Sequence, residues 1–296
     1  MKKTVYYYVL KPINIDDEKY AQVESFADDF NSIISKLFLE EKNSRKETLT
    51  KEKKILYLSD YKYDATNRIA YIKVTSAKYD AVRNVVNTNT LEDKTELIKG
   101  VSDGEEESNH LAIKFISAKK TVCLFESNYY GIGFTKIIKY FEKKIKTAHK
   151  ESEDGVYYNI NYQNIVSHDF LAALEKVNRV KMVTLEVDRK ALGVSDQKAF
   201  ADRADLSSTA DIVFKPCGKG ATILTDTVKA FFKMYNEDGM SVRSVSVDAD
   251  SENKEPIQFN TEQMKEKVSK EVEVDANGEV DTQSMFAIFE ELLEQV

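Results

Sequence analysis

The stretch that decides the fold is NHLAIKFISAKKTVCLFESNYYGIGFTKIIKYFEKKIKTAHK, residues 109–150. Two apolar, β-branched and aromatic runs, Leu111–Ile116 and Thr121–Glu126, predict strands joined by a tight turn. Glycines at 131 and 133 then predict a turn before a long helix. The apolar positions of that helix recur with a helical period and fall in one arc: Phe134, Ile137, Ile138, Phe141 and Ile145.

Strand-like and helix-like segments alternate in the same manner over the rest of the chain. They predict an α+β protein with mixed or antiparallel sheets, flanking helices and two subdomains. The polar segment Glu151–Gly155 follows the long helix, so we expect subdomains at 1–152 and 153–296. Three further segments carry weaker predictions: an exposed loop at 40–54, a polar loop at 100–109 and a short helix at 261–268.

Composition indicates a globular chain with an uneven charge. The 296 residues carry a net charge of −7, and Gly and Pro are scarce. Residues 248–296 hold 14 Asp and Glu against 4 Lys, which leaves a net charge of +3 for residues 1–247. Cys123 and Cys217 lie in no metal-binding or disulfide pattern. No signal peptide or membrane-spanning run is evident, which predicts a cytoplasmic protein without a membrane association.

The long helix carries a second, basic face about 160° from its apolar arc at roughly 100° per residue. Its members are Lys136, Lys139, Lys143, Lys146 and Lys150, and Glu142 is the only acid between the first and the last of them. Such a row of lysines can neutralise successive phosphates of nucleic acid. Because lysine is a point charge, binding would be sequence-tolerant. The alternative is an ordinary solvated helix face.

Two glycine-containing motifs resemble phosphate-binding loops only in part. The segment Tyr129–Gly133 precedes the helix, but the third glycine of a dinucleotide-binding motif is replaced by Lys136. We therefore interpret it as a structural turn. The segment Gly218–Thr222 contains a Gly-Lys pair but lacks the first glycine of a P-loop, and a further glycine follows Lys219, which argues against ATP hydrolysis.

Evidence for catalysis in the sequence is weak. Glu186 and Asp188 end a predicted strand and could serve a metal-dependent nuclease, which would need a further acid on a neighbouring strand. The acidic segment 248–252 lacks the glycine and the glutamate of a calcium loop. The histidines His110, His149 and His168 have no partner at metal-ligand spacing. We predict no cofactor and no metal, and the prediction leans away from an enzyme.

The order of elements in LAIKF (111–115) and VCLFESNYYGIGFTKIIKYF (122–141) resembles phage-exclusion and abortive-infection proteins of the RexA and KwaB type. The runs SVRSVSVDAD (241–250) and VEVDANGEVDTQSMFAIFEELL (272–293) are similar to the endings of such proteins. The resemblance implies a non-enzymatic, homodimeric protein of anti-phage defence that binds duplex DNA with little sequence preference. It adds Lys215 and Lys219 to the lysines of the helix as DNA-binding residues.

The acidic C-terminal part of the chain departs from a simple DNA-binding protein and leaves another hypothesis open. It would suit a protein–protein interaction subunit, such as a toxin partner, that contacts a basic effector protein. Three hypotheses therefore follow from the sequence: nucleic-acid binding, metal-dependent nuclease activity, and interaction with a partner protein.

Overall fold

The computed structural model describes residues 1–14, 26–79, 89–90, 103–117, 120–152, 158–166, 169–189, 207–218, 220–237 and 242–295. Within these residues the chain forms two antiparallel sheets, of eight and four strands, together with six helices. This architecture confirms the predicted α+β class.

The first elements along the chain belong mostly to the larger sheet. They are β1 (Lys2–Asn14), α1 (Phe26–Leu39), α2 (Lys42–Arg45), β2 (Glu47–Leu49), β3 (Lys54–Asp64), β4 (Ile69–Lys78), β5 (Glu105–Ser117), β6 (Lys120–Ser127), α3 (Phe134–Ser152) and β7 (Tyr158–Asn164).

The remaining elements build the smaller sheet and the end of the chain. They are α4 (Asp169–Glu175), β8 (Val177–Asp188), β9 (Thr209–Phe214), α5 (Thr225–Glu237), β10 (Val242–Ser251), β11 (Pro256–Asn260), β12 (Lys267–Glu271) and α6 (Thr282–Leu293).

Contacts within the chain divide it into two compact units. The large unit comprises residues 1–162 and 268–296, and the small unit comprises residues 163–267. This division differs from the subdomains expected at 1–152 and 153–296, because the end of the chain returns to the large unit. There β12 pairs with β1, and α6 packs against β5.

The strands of the large unit follow the order β12-β1-β6-β5-β4-β3-β2, and β7 also pairs with β1. Alternate residues of each strand point to opposite faces. On one face, Leu111, Ile113 and Phe115 of β5 join a continuous core with the buried sides of α1 and α3. These helices are held against the sheet by that core, because it removes their apolar faces from water.

The opposite face of the large sheet carries α6. Phe286 of α6 contacts the rings of Tyr71 and His110, with centroids 5.3 and 5.7 Å apart respectively. The helix begins after Asp281, whose carboxylate accepts a 2.7 Å hydrogen bond from the Ser284 N–H. A side-chain cap of this kind satisfies one of the N–H groups that a helix start leaves unpaired.

The small unit has the strand order β11-β10-β8-β9. Its core lies between one face of this sheet and the helices α4 and α5, with Phe170, Val228 and Tyr235 among the buried members. Two weaker predictions were wrong. The segment 261–268, expected to be a helix, forms a turn that leads into β12, and the expected loop at 40–54 contains α2 and β2.

Candidate nucleic-acid interface

The helix α3 carries the basic face that the sequence indicates, and its opposite face is docked as predicted. Phe134 stacks on Tyr8 with ring centroids 3.8 Å apart. The Tyr140 hydroxyl donates to the Arg45 carbonyl at 2.7 Å and accepts from the Leu58 N–H at 3.2 Å. The helix is therefore fixed along its length, and its lysines are displayed on the solvent side.

Three of the five predicted lysines already have carboxylate partners. Lys136 Nζ lies 2.5 Å from Glu52 Oε1, and Lys143 Nζ lies 2.6 Å from Glu47 Oε1. Both acids come from the segment after α2, so their proximity was not visible in the sequence of the helix. The hydrogen bond from Lys136 is the main cause that lowers the pKa of the Glu52 carboxyl.

The third paired lysine is Lys146. Its Nζ lies 3.1 Å from Glu142 Oε1, one turn earlier on the same helix, and donates to Asn159 Oδ1 at 2.7 Å. Its side chain is 36% exposed. Partly exposed ion pairs of this kind are worth about 0–1 kcal/mol, so a phosphate can replace the carboxylate at small cost.

Lys139 and Lys150 differ from the other three. Both are exposed, and neither has an ion-pair partner among the residues that the structure describes. At 1.5 Å per residue they stand about 16 Å apart along the helix. They mark the two ends of a shallow depression of about 520 Å³, lined by Lys139, Glu142, Lys143, Lys146, Thr147 and Lys150. With four lysines and one glutamate, this depression is locally cationic in a chain whose net charge is −7.

Of the two lysines carried over from the resemblance, Lys215 is not among the described residues that line this depression. Lys215 is exposed and directly follows β9, in the small unit. Lys219 lies outside the described residues. The candidate interface in the described part of the large unit is therefore the basic face of α3.

The acids considered for a nuclease lie on β8 of the small unit. Asp188 is 8% exposed and its Oδ2 lies 2.8 Å from Arg243 Nη2. Glu186 Oε2 accepts from the Ser244 hydroxyl at 3.3 Å. Asp211 stands opposite Glu186 in the β8–β9 register. Sequence reasoning missed Asp211, since only the strand pairing brings it there.

This group nevertheless offers no complete ligand set. In the described part of the chain, no cluster of three or more His, Cys, Asp and Glu side chains is arranged to hold a metal ion. Asp188 is instead engaged with an arginine, which is the ordinary arrangement of a half-buried structural ion pair. The geometry thus gives the nuclease hypothesis no specific support.

A buried polar row that the sequence did not reveal lies between the large sheet and α6. His110 Nδ1 lies 2.6 Å from Glu126 Oε2, and His110 Nε2 lies 3.1 Å from the Thr282 hydroxyl. Lys3 Nζ is 3.1 Å from Glu126 Oε1. Carboxylate, imidazole and hydroxyl follow one another as in nucleophilic hydrolases. His110 and Glu126 are fully buried, however, so we interpret the row as a clamp that holds the start of α6.

The glycine-containing segment before α3 forms a turn, as interpreted from the sequence. The Gly131 N–H donates to the Asn128 carbonyl at 3.2 Å. The Ile132 N–H donates to Asn109 Oδ1 at 2.7 Å. The N–H groups of Gly131 and Ile132 are therefore used within the protein, as expected of a structural turn.

None of the helices in the described ranges is long and apolar enough to cross a lipid bilayer.

Comparisons with known proteins do not place the chain in a family. A scan against models of known protein families and a search of curated proteins both give no match to this chain.

Proposed function

We propose that this protein binds the phosphate backbone of duplex nucleic acid through the basic face of α3, with little sequence preference. The observation that carries the proposal is the cationic depression between Lys139 and Lys150. A rigid helix presents four lysines there over about 16 Å, a length along which a duplex carries roughly ten phosphates.

The chemistry of the depression favours backbone contacts over reading of bases. Lysine offers a compact charge without the planar, two-pronged donor set with which arginine recognises guanine. Lys143 and Lys146 exchange half-buried carboxylate partners for phosphates, whereas Lys139 and Lys150 gain a partner that they lack in the described structure. The resemblance to phage-exclusion and abortive-infection proteins adds the context of this proposal: a cytoplasmic, homodimeric protein of anti-phage defence.

The test is the salt dependence of binding to a labelled duplex of random sequence, measured by fluorescence anisotropy. If all four lysines contact phosphates, the logarithm of the association constant falls with the logarithm of salt with a slope of about −3.6. The double variant Lys139→Ala/Lys150→Ala should reduce this slope to about −1.8. A fourfold rise in salt then weakens the wild type about 150-fold and the variant about 12-fold.

A matched control removes the same charge elsewhere on the large unit. Lys62 lies beside Phe286 of α6, and Lys270 pairs with Glu291 of the same helix, so both are remote from the basic face of α3. Lys62→Ala/Lys270→Ala should leave the slope unchanged. The proposal is wrong if the protein does not bind duplex at low salt, or if both double variants have the same slope.

The defence role has its own measurement. Cells that carry the gene are challenged with phage, and plaque numbers are compared for wild type, Lys139→Ala/Lys150→Ala and Lys62→Ala/Lys270→Ala. We expect protection to be lost only with the first pair. Equal protection by all three proteins would mean that defence does not depend on the basic face of α3.

A further inference from the structure

Two tyrosines in the turn between β6 and α3 are exposed to an unusual degree. Tyr129 is 92% exposed and Tyr130 is 66% exposed. Their rings meet edge to face, with centroids 5.1 Å apart. Large exposed aromatic side chains next to each other commonly mark a binding surface, because leaving them in water forgoes the free energy of their burial.

The turn that carries the tyrosines is held tightly from the large sheet. The Asn128 side-chain amide donates to Glu107 Oε2 and to the Ser108 carbonyl, both at 3.0 Å. Asn128 Oδ1 accepts from the Tyr130 N–H at 3.2 Å. These contacts fix the backbone of the turn while the tyrosine rings remain outside.

A lysine at the start of β3 adds a second support. Lys54 Nζ donates to the carbonyl of Tyr130 at 2.6 Å and to that of Gly131 at 2.8 Å. The pKa of this ammonium group is lowered by burial, as expected of a lysine that packs against the turn. A surface that is already ordered loses little conformational entropy when it binds, which favours a recognition role for the two rings.

The position of the tyrosines points to their ligand. The turn leads directly into α3, whose first lysine without a partner in the described structure, Lys139, stands about 8 Å along the axis from Phe134. The length of helix between Phe134 and Lys139 corresponds to two or three phosphates of a stacked strand at roughly 3.4 Å each. On the side of the sheet, the turn contacts Glu107 through Asn128, and Glu105 and Glu106 precede Glu107 in β5. A polyanion that touches the rings is therefore directed toward α3.

We propose that Tyr129 and Tyr130 form a stacking platform for unpaired nucleobases, with the adjoining backbone on the basic face of α3. This inference rests on the proposed binding of the phosphate backbone and extends its substrates from duplex to strands with unpaired bases: a single strand, or a duplex with an unpaired end. Every base has an aromatic face, so such a platform is sequence-tolerant, as the lysines are. Stacking on an aromatic side chain strengthens binding about 5-fold to 140-fold per base.

The test compares two single strands of equal length and charge, oligo-dT and an abasic strand that lacks the bases. Wild-type protein should prefer oligo-dT about 10-fold or more at constant salt. Tyr129→Ala/Tyr130→Ala should abolish this preference and leave the salt slope unchanged, because no charge is removed. Tyr129→Phe/Tyr130→Phe keeps the rings and should retain the preference. Blunt duplex should bind equally to all three proteins.

The outcomes distinguish a failure of the tyrosine platform from a failure of the proposed nucleic-acid binding by α3. Equal binding of oligo-dT and the abasic strand by wild type overturns the platform, as does an alanine variant that keeps the preference. Loss of the preference in the phenylalanine variant also overturns it. If blunt duplex still binds with the expected salt slope in these cases, only the platform fails, and an apolar protein partner becomes the occupant to seek. If no strand and no duplex bind, both proposals fail.

Discussion

Gly131, in the turn before α3, should tolerate no side chain. A Cβ added there would lie 3.0 Å from Asn109 Cγ and closer still to Asn109 Oδ1. Asn109 is fully buried, and its amide accepts from the Ile132 N–H at 2.7 Å and donates to the Glu126 carbonyl at 3.1 Å. Gly131→Ala must displace this amide and leave buried groups unpaired, at about 1–3 kcal/mol for each group. We therefore expect a loss of about 2–5 kcal/mol in the free energy of unfolding.

The second glycine of the same turn provides a matched control. A Cβ at Gly133 meets no atom within 4 Å. Gly133→Ala should change the free energy of unfolding by no more than about 1 kcal/mol, because alanine restricts the unfolded chain but is a poorer N-cap than glycine. Urea unfolding followed by circular dichroism measures both variants. Equal free energies of unfolding for the two variants would refute the role assigned to Asn109. Specific loss of nucleic-acid affinity in Gly133→Ala would instead revive a phosphate-binding role for the turn.

Three further predictions concern the large unit. Glu126→Ala removes the carboxylate of a buried ion pair and should cost about 3–5 kcal/mol in urea unfolding, whereas Glu291→Ala, in an exposed pair, should cost no more than about 1 kcal/mol; similar values would contradict the clamp. Burial raises the pKa of Tyr61 to about 12. Because the unfolded state ionises first, stability is complete below about pH 10 and falls as pH rises toward 12; the difference in tyrosinate absorbance between wild type and Tyr61→Phe should appear together with unfolding, and a difference that precedes unfolding would disagree. Asp281→Ala removes the N-cap of α6 and should cost about 1 kcal/mol by thermal unfolding, a loss that Asp281→Ser should largely restore.

Local periodicity was enough to predict the central part of the fold. The strands and the helix expected over residues 109–150 correspond to β5, β6 and α3, because each element has an apolar face that repeats with its own period. The apolar arc of α3 is buried as predicted, from Phe134 to Ile145. The order of strand-like and helix-like segments added the prediction of an α+β chain, which the two sheets and six helices of the described residues confirm.

What the sequence could not supply was long-range pairing. The polar residues from Glu105 to Asn109 were expected to form a loop, yet they extend β5 because β4 pairs with them from Lys78 to Val74. The same limit applies to the candidate site. The partners of Lys136 and Lys143 lie more than eighty residues earlier in the chain. A lysine row read from one helix therefore overestimates the charge that is free to bind a ligand.

The insertion of residues 163–267 into the large unit has a consequence for the nascent chain. A ribosome must make the whole of that stretch before β12 and α6 can complete the large sheet. At roughly 5–20 residues per second, the delay is on the order of 10 s. Throughout this time Tyr71 and His110 lack the cover of Phe286. We therefore expect the unfinished sheet to be bound by chaperones, and slowing translation within the insertion should lengthen its exposure to them.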